Sequence, residues 1–198
     1  PLACAQGGGA AATVARLNQP RHIAFDNSGN LYIVDSGNIR VRKVDVYSGI
    51  ISTVAGGGSG SASGVPATSV SLSTPDGIVV STSGDFYVSE RDGARVRKVE
   101  AATGTIVTVA GNGATYPALS EGGQATSGAF VYPRGLALGD GYLFVGLRGA
   151  LRRVSLSDGT QNLLAGNGSA GSSGDFGPAL SATVDWLASL SFDPASHK

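Results

Sequence analysis

Basic side chains at a fixed spacing are the first feature of this chain that could do chemistry. Arg40, Arg42 and Lys43 recur as Arg95, Arg97 and Lys98, and in part as Arg152 and Arg153, at an offset of 55 residues. A row of such cations could hold the phosphates of a nucleic acid. Against that, Asp45 and Glu100 follow the basic runs directly, and the chain as a whole balances 14 Lys and Arg with 14 Asp and Glu, so no global field draws in a polyanion. Ion pairs between structural units, or arginine stems laid over apolar surface, account for the cations without a ligand. Nucleic acid is therefore not the expected partner, and that reading would require Arg42 and Arg97 to be exposed on one face.

Other reactive groups are sparse. His22 and His197 are the only histidines and Cys4 the only cysteine, which excludes an internal disulfide framework and a cysteine-built zinc site. Neither Ser36 nor Cys4 has a partner base nearby in sequence, so neither reads as a nucleophile. Asp26-Asn27-Ser28-Gly29-Asn30 alternates oxygen side chains with a glycine as a calcium loop would, but the same residues are what a hairpin turn demands, and the later bidentate Glu is missing. No catalytic residue, metal or cofactor is expected. No apolar run approaches the roughly 18–20 residues of a membrane span, so no membrane insertion is expected either.

The elements that position these residues are set by a repeat. Thr53-Val54-Ala55-Gly56, Thr108-Val109-Ala110-Gly111 and Leu163-Leu164-Ala165-Gly166 recur at the same 55-residue offset as the basic runs, and Pro20, Pro75 and Pro133 open successive units, with Leu187 in the corresponding place of a fourth. Within each unit, short apolar runs of period two are punctuated by Gly, Asn, Asp and Ser, the pattern of antiparallel strands joined by tight turns. Strands are predicted over 22–25, 31–34, 40–45 and 50–55, then 77–80, 86–89, 96–100 and 106–110, then 135–138, 142–145, 151–156 and 161–165. The 31 Gly residues, about twice ordinary usage, suit so many turns. A four-stranded meander at a fixed period describes a β-propeller blade, because so small a sheet buries its faces only against its neighbours. A parallel β-helix would use much shorter coils.

Asn30-Leu31-Tyr32-Ile33-Val34-Asp35, Gly37-Asn38-Ile39-Arg40-Val41-Arg42-Lys43-Val44-Asp45 and Thr53-Val54-Ala55-Gly56 resemble the NHL repeat, and Gly174-Asp175-Phe176-Gly177-Pro178-Ala179 is similar to its connector signature. The resemblance is closest in the first two units. In the third, Arg148-Gly149-Ala150 replaces the Gly-Asn-x-Arg segment, and the repeat's naming histidine is Ile39 here. It implies an all-β propeller of four-stranded antiparallel blades: blade 1 at about 20–56, blade 2 at about 75–111, blade 3 at about 133–166 and a partial blade 4 at about 187–198. Long Gly/Ser/Ala-rich connectors fill 1–19, 57–74, 112–132 and 167–186. In each, an apolar residue (Leu17, Leu72, Phe130, Val184) is expected to tuck onto the blades. Since propellers close with about four to eight blades, 1–198 reads as one propeller segment, either a piece of a longer chain or an arc closed by another copy.

Propeller hydrolases gather metal ligands where inner strands converge, whereas here those positions are His22, Ile23, Gly77, Ile78, Gly135 and Leu136. A non-catalytic binding or scaffolding module is therefore expected. The alternatives are a propeller enzyme of metal-dependent lyase or lactonase type whose ligands lie in blades not present, and an RNA-binding NHL domain. The binding face would be made by the loops before the inner strand (Arg21, His22, Asp76, Arg134) and between the second and third strands (Ser36, Asn38, Arg91, Asp92, Arg148). Its mixed charge favours a protein partner or a further copy of the chain, with a glycan as the open alternative. Asn167-Gly168-Ser169 is an N-glycosylation sequon, which together with the Ser/Gly/Ala/Thr connectors points to an extracellular or cell-surface location.

Overall fold

A computed structural model describes residues 9–115 and 122–193 of the 198. Strands β1 (Ala10–Ala11), β2 (Pro20–Phe25), β3 (Leu31–Asp35), β4 (Arg40–Val44) and β5 (Ile50–Gly56) form a first sheet in the order β1, β5, β4, β3, β2. β6 (Val65–Pro66), β7 (Pro75–Val80), β8 (Phe86–Glu90), β9 (Arg95–Val99) and β10 (Thr105–Ala110) form a second in the order β6, β10, β9, β8, β7. β11 (Leu136–Gly139), β12 (Tyr142–Gly146), β13 (Leu151–Ser155) and β14 (Gln161–Ala165) form a third in chain order. These are the predicted meanders, with ends within two residues of expectation. No α-helix occurs among the described residues, and none of their helices is long and apolar enough to cross a membrane.

The connectors do more than link. Ala10 pairs with Ile51 and Val65 with Ile106, so each of the first two sheets gains a fifth strand, and Gln124 bridges Thr160 at the matching edge of the third. The late connector element thus covers the outer edge of the blade it leads into, an edge that would otherwise offer unpaired N–H and C=O groups. It then turns through a short 3-10 segment at Ala12–Val14, Ala67–Ser69 and Ala125–Ser127 before running to the inner strand, and Ala179–Ser181 repeats the turn. Of the apolar residues expected to tuck inward, Leu72 and Phe130 are buried, Val184 is half-buried and Leu17 stays exposed. Residues 187–193, the expected opening of the partial fourth blade, carry no strand and lay Phe192 on Phe144 with centroids 5.5 Å apart. The rest of the partial fourth blade, 194–198, lies outside the described residues.

Close packing divides the chain into two compact units, Pro1–Val88 with Lys98–Val107 and Ser89–Arg97 with Thr108–Lys198. In the first, Tyr32, Val34, Val41, Leu72, Ile78 and Phe86 form one apolar cluster, with Tyr32 tilted against Phe86 at 5.3 Å. In the second, Phe130, Leu143, Val145, Leu147 and Val154 are buried. The dependence of a blade on its neighbour is visible at the inner strands: Ile78 is 6% exposed, whereas its repeat-mate Ile23 is 60% exposed.

The glycine that ends each Thr-Val-Ala-Gly motif has a local cause. Gly56, Gly111 and Gly166 have φ of +79°, +83° and +87°, and a Cβ there would run into the carbonyl oxygens of Ile39, Ala94 and Gly149. The close approach locks the outer strand to the turn before the third strand. Gly111→Ala is expected to cost about 2–4 kcal/mol from left-handed strain plus collision with a backbone that cannot give way, measured as a lowered midpoint of denaturant unfolding. A change below about 0.5 kcal/mol would show that the turn is not a fixed point.

Candidate binding face

The recurrent arginines are interior groups. Arg42, Arg97 and Arg152 are at most 1% exposed, so the exposure that nucleic-acid binding required does not occur. Ion pairs between units are the expectation from sequence, whereas the pairs of Arg42 with Asp35 and of Arg97 with Glu90 run within a sheet. Arg42 Nη1 lies 3.8 Å from Asp35 Oδ2 and Arg97 Nη1 3.8 Å from Glu90 Oε1, while Arg95 Nε is 3.3 Å from Glu90 Oε2. Burial lowers the pKa of Arg42 and Arg97, opposed by the charges of Asp35 and Glu90. A register shift sits beside the arginine in both the first and third sheets, between Val41 and Arg42 and between Leu151 and Arg152. The third sheet lacks the carboxylate, because Leu147 stands where the others have Asp35 and Glu90. Gln161, buried where the others have Ile51 and Ile106, instead accepts a hydrogen bond from Arg152 Nη1, and the guanidinium lies over Phe130 at 5.5 Å.

In the first unit, the interior carboxylates also set the loop face. Asp35 accepts hydrogen bonds from the Asn18 backbone amide (2.7 Å) and from Asn38 Nδ2 (2.8 Å), which fixes the turn after β3. Arg21 Nη1 donates to Asp76 Oδ2 at 3.3 Å, and His22 Nδ1 lies 3.0 Å from the Asp76 carbonyl oxygen and 3.4 Å from its carboxylate. The structure thus brings Arg21, His22 and Asp76 together. Asp76 and Ser36, expected to present solvent-facing groups, are both buried. Asp76 turns inward because its carboxylate receives Arg21 and His22, and Ser36 is closed in by the 3-10 turn Ser36–Asn38.

In the second unit, Arg91 and Asp92 pair with each other at 3.0 Å. Arg134 and Arg148, contributed by the two different loop classes, converge on Trp186, with guanidinium carbons 5.4 and 5.3 Å from its ring centroid. Tyr132 is tilted against the same indole at 5.7 Å, Arg148 Nε lies 3.7 Å from Asp185 Oδ1, and Arg148 forms a β-bridge with Trp186. The indole remains 42% exposed. Tyr132 and Trp186 hold the place before the unit-opening residue, which is Gln19 and Thr74 in the earlier repeats. Aligning those positions would have revealed the aromatic pair, whereas singling out charged residues alone passes over it. Stacking a partly exposed aromatic against two arginines leaves an amphipathic, pre-ordered anchor, the composition from which interface hot spots are made.

The remaining sequence candidates act as turn residues. Asp26 accepts the backbone amides of Ser28 (3.0 Å) and Asn30 (2.9 Å) and the Asn30 side chain (2.8 Å), with Lys43 at 3.4 Å, which is the hairpin reading of that loop. Asn167 is exposed, and its Oδ1 accepts the Ser169 amide at 2.9 Å. Asn112 does the same for Ala114 at 2.8 Å without heading a sequon. Among the described residues no three of His, Cys, Asp and Glu gather as a metal would need. Cys4 and His197 lie outside the described residues.

Comparison with known proteins gives the fold a context. The family model of the teneurin NHL domain matches residues 3–69. No curated protein sequence matches the chain. Among solved structures, a protein of unknown function from Bacteroides thetaiotaomicron superposes with TM-score 0.69 at 21% identity, over 89% of this chain and 42% of its own. An auxiliary nutrient binding protein from Bacteroides ovatus gives 0.64 at 13%, over 91% and 44%. A chain of the nidogen/laminin complex gives 0.57 at 13%, over 78% and 51%. At these identities the likeness shows the fold alone, and the chain spans about half the length, or less, of the structures it matches.

Two outcomes follow from the charges. Gln161→Ile removes one buried acceptor of Arg152 and is expected to cost about 1–3 kcal/mol. Adding Leu147→Glu, which copies the second sheet, should recover part of that loss, read as a favourable coupling in a double-mutant cycle. Additive losses would mean that the two sites do not share Arg152. Burial pushes the Asp85 carboxyl up, but hydrogen bonds from Lys98 (2.8 Å) and the Ala101 amide outweigh it and hold the pKa below the usual range. A depressed folded pKa contributes stability above the unfolded value near 4, lost as pH falls through the folded one. Asp85→Asn should therefore flatten the stability profile below about pH 4, and an unchanged acid limb would contradict this.

Proposed function

Because the chain is built of NHL-type β-propeller blades, we propose that it is a non-catalytic binding or scaffolding module that engages a protein partner through its inter-blade loops. The observation that carries this reading is the Trp186 cluster. Two arginines and a tyrosine hold an exposed indole in one orientation, so little side-chain freedom is lost when a partner covers it. The mixed charge around it, Arg134 and Arg148 with Asp185, suits a partner surface carrying both signs and gives no stripe for a polyanion. The interior placement of Arg42 and Arg97 weighs against RNA. A lyase or lactonase would need ligands from outside the described residues. The sequon at Asn167 and the Ser/Gly/Ala-rich connectors support an extracellular or cell-surface setting.

Trp186 is the chain's single tryptophan, so fluorescence excited selectively at tryptophan reports on this face. The test is a screen of purified extracellular domains and a glycan array against the chain, followed by titration on Trp186 emission. A protein ligand is expected to shift that emission, and in titration calorimetry Trp186→Ala, which removes the fluorophore, or Arg148→Ala should weaken binding at least tenfold, about 1.4 kcal/mol, with the unfolding midpoint retained. Recognition of glycans only, or protein binding insensitive to both variants, would overturn the reading.

A further inference from the structure

A second departure from the repeat lies in the connector 167–186. Two positions before each late connector element, the backbone is left-handed: Gly9 at φ +87°, Gly64 at +77°, Gly122 at +70° and Phe176 at +63°. A Cβ added to any of the three glycines meets nothing within 4 Å, so this position points into open space in every other repeat, including those in which an outer strand lies beneath it. Phe176 follows the rule and is fully exposed, at 110%. A bulky side chain in this conformation stores about 1–3 kcal/mol of strain, and here it recovers none of that by burial.

The same connector carries a second change of the same kind. Leu180 stands where the other repeats have Thr13, Thr68 and Thr126, all exposed, and is itself exposed. The loop that displays both side chains is closed on itself. Ser173 N donates to Thr183 Oγ1 at 2.8 Å, Thr183 N to Ser173 O at 2.9 Å, and Gly177 N to Gly174 O at 3.1 Å. The charges in 167–186 are Asp175 and Asp185, with no cation. Asp185 faces Arg148, and Asp175 sits beside Phe176 at the exposed tip.

We propose that Phe176 and Leu180, with Asp175 at their rim, form a docking surface for a partner protein that offers an apolar pocket bordered by Lys or Arg. Two apolar side chains displayed at polar or glycine positions, on a loop braced by its own hydrogen bonds, supply a pre-ordered anchor, and the acidic rim sets the sign of the partner's border. The surface uses none of the residues of the Trp186 cluster, so the two readings fail separately.

Two measurements test it. Phe176→Gly relieves strain and removes no internal packing, so the thermal midpoint should stay level or rise by about 2–4 °C; a fall would show that Phe176 packs within the chain and would overturn the proposal. An array of purified extracellular domains is then probed with the wild-type chain, Phe176→Gly, Leu180→Thr, Asp175→Asn and Trp186→Ala. At least one domain is expected to bind the wild type, to lose tenfold or more with Phe176→Gly, to lose its salt dependence with Asp175→Asn and to keep its affinity with Trp186→Ala. If no domain distinguishes Phe176→Gly from the wild type, or if light scattering shows a self-associated chain that Phe176→Gly disperses, the assignment to a basic-rimmed protein partner is wrong.

Discussion

A buried guanidinium at the centre of each sheet is the constraint to which the neighbouring elements answer. Taking an arginine out of water costs several kcal/mol unless charge and hydrogen bonds are returned to it, and Arg42, Arg97 and Arg152 are all interior. In the first sheet the answering carboxylate is Asp35, the last residue of β3. Its two oxygens also receive the Asn18 amide from the incoming connector and the Asn38 side chain from the following turn. One buried group therefore ties core, connector and loop together. Glu90 ends β8 in the same way and is shared by Arg95 and Arg97. Separating these groups would leave a charge unpaired in a low-dielectric interior, which holds the turn after β3 in place.

The third sheet keeps the arginine and loses the carboxylate, and its repair explains its altered face. Gln161 from the outer strand and Phe130 from the connector take over the guanidinium. The loop after β12, with Leu147 in place of the acidic side chain, keeps a backbone bond to its connector, Arg148 N donating to the Val131 carbonyl at 3.1 Å as Gly37 N does to the Asn18 carbonyl at 2.9 Å in the first sheet, and adds a bridge from Arg148 to Trp186. The bridge accompanies the placement of the Arg148 guanidinium over the indole. The strongest anchor on the face thus arises in the one blade whose interior departs from the pattern of the other two.

How much was legible in the sequence follows from what sets each feature. Strand positions were, because period-two apolar runs between Gly, Asn, Asp and Ser turns encode them locally, and the 55-residue offset fixed their order. The fifth strands at Ala10–Ala11 and Val65–Pro66 were not, since two residues have no periodicity and their pairing is a matter of where the connector runs. Asp76 looks like a solvated charge in sequence, and its burial depends on pairing with Arg21 from the preceding repeat, whereas the ion pair expected of Arg42 runs to Asp35 on the adjacent strand and not between units. Arg134 and Arg148 were found from loop position, but Trp186, their meeting point, lay in a connector read for composition.

The repeat serves as an internal control that separates scaffold from function. A residue that departs from its repeat-mates and is answered by a second departure nearby, as Leu147 is by Gln161, has been absorbed by the fold, and its meaning is stability. A departure that the fold does not answer is different. Phe176 takes a glycine's backbone conformation, gains no packing and is accompanied by Leu180 at an exposed threonine position. Trp186 falls between these cases, stacked by Arg134 and Arg148 yet partly open to solvent. Because stability alone would favour Gly at a left-handed, solvent-facing position, the strain at Phe176 is offset by nothing within the described blades, and the proposed contact with a partner would supply that offset at a connector and not at the loop face.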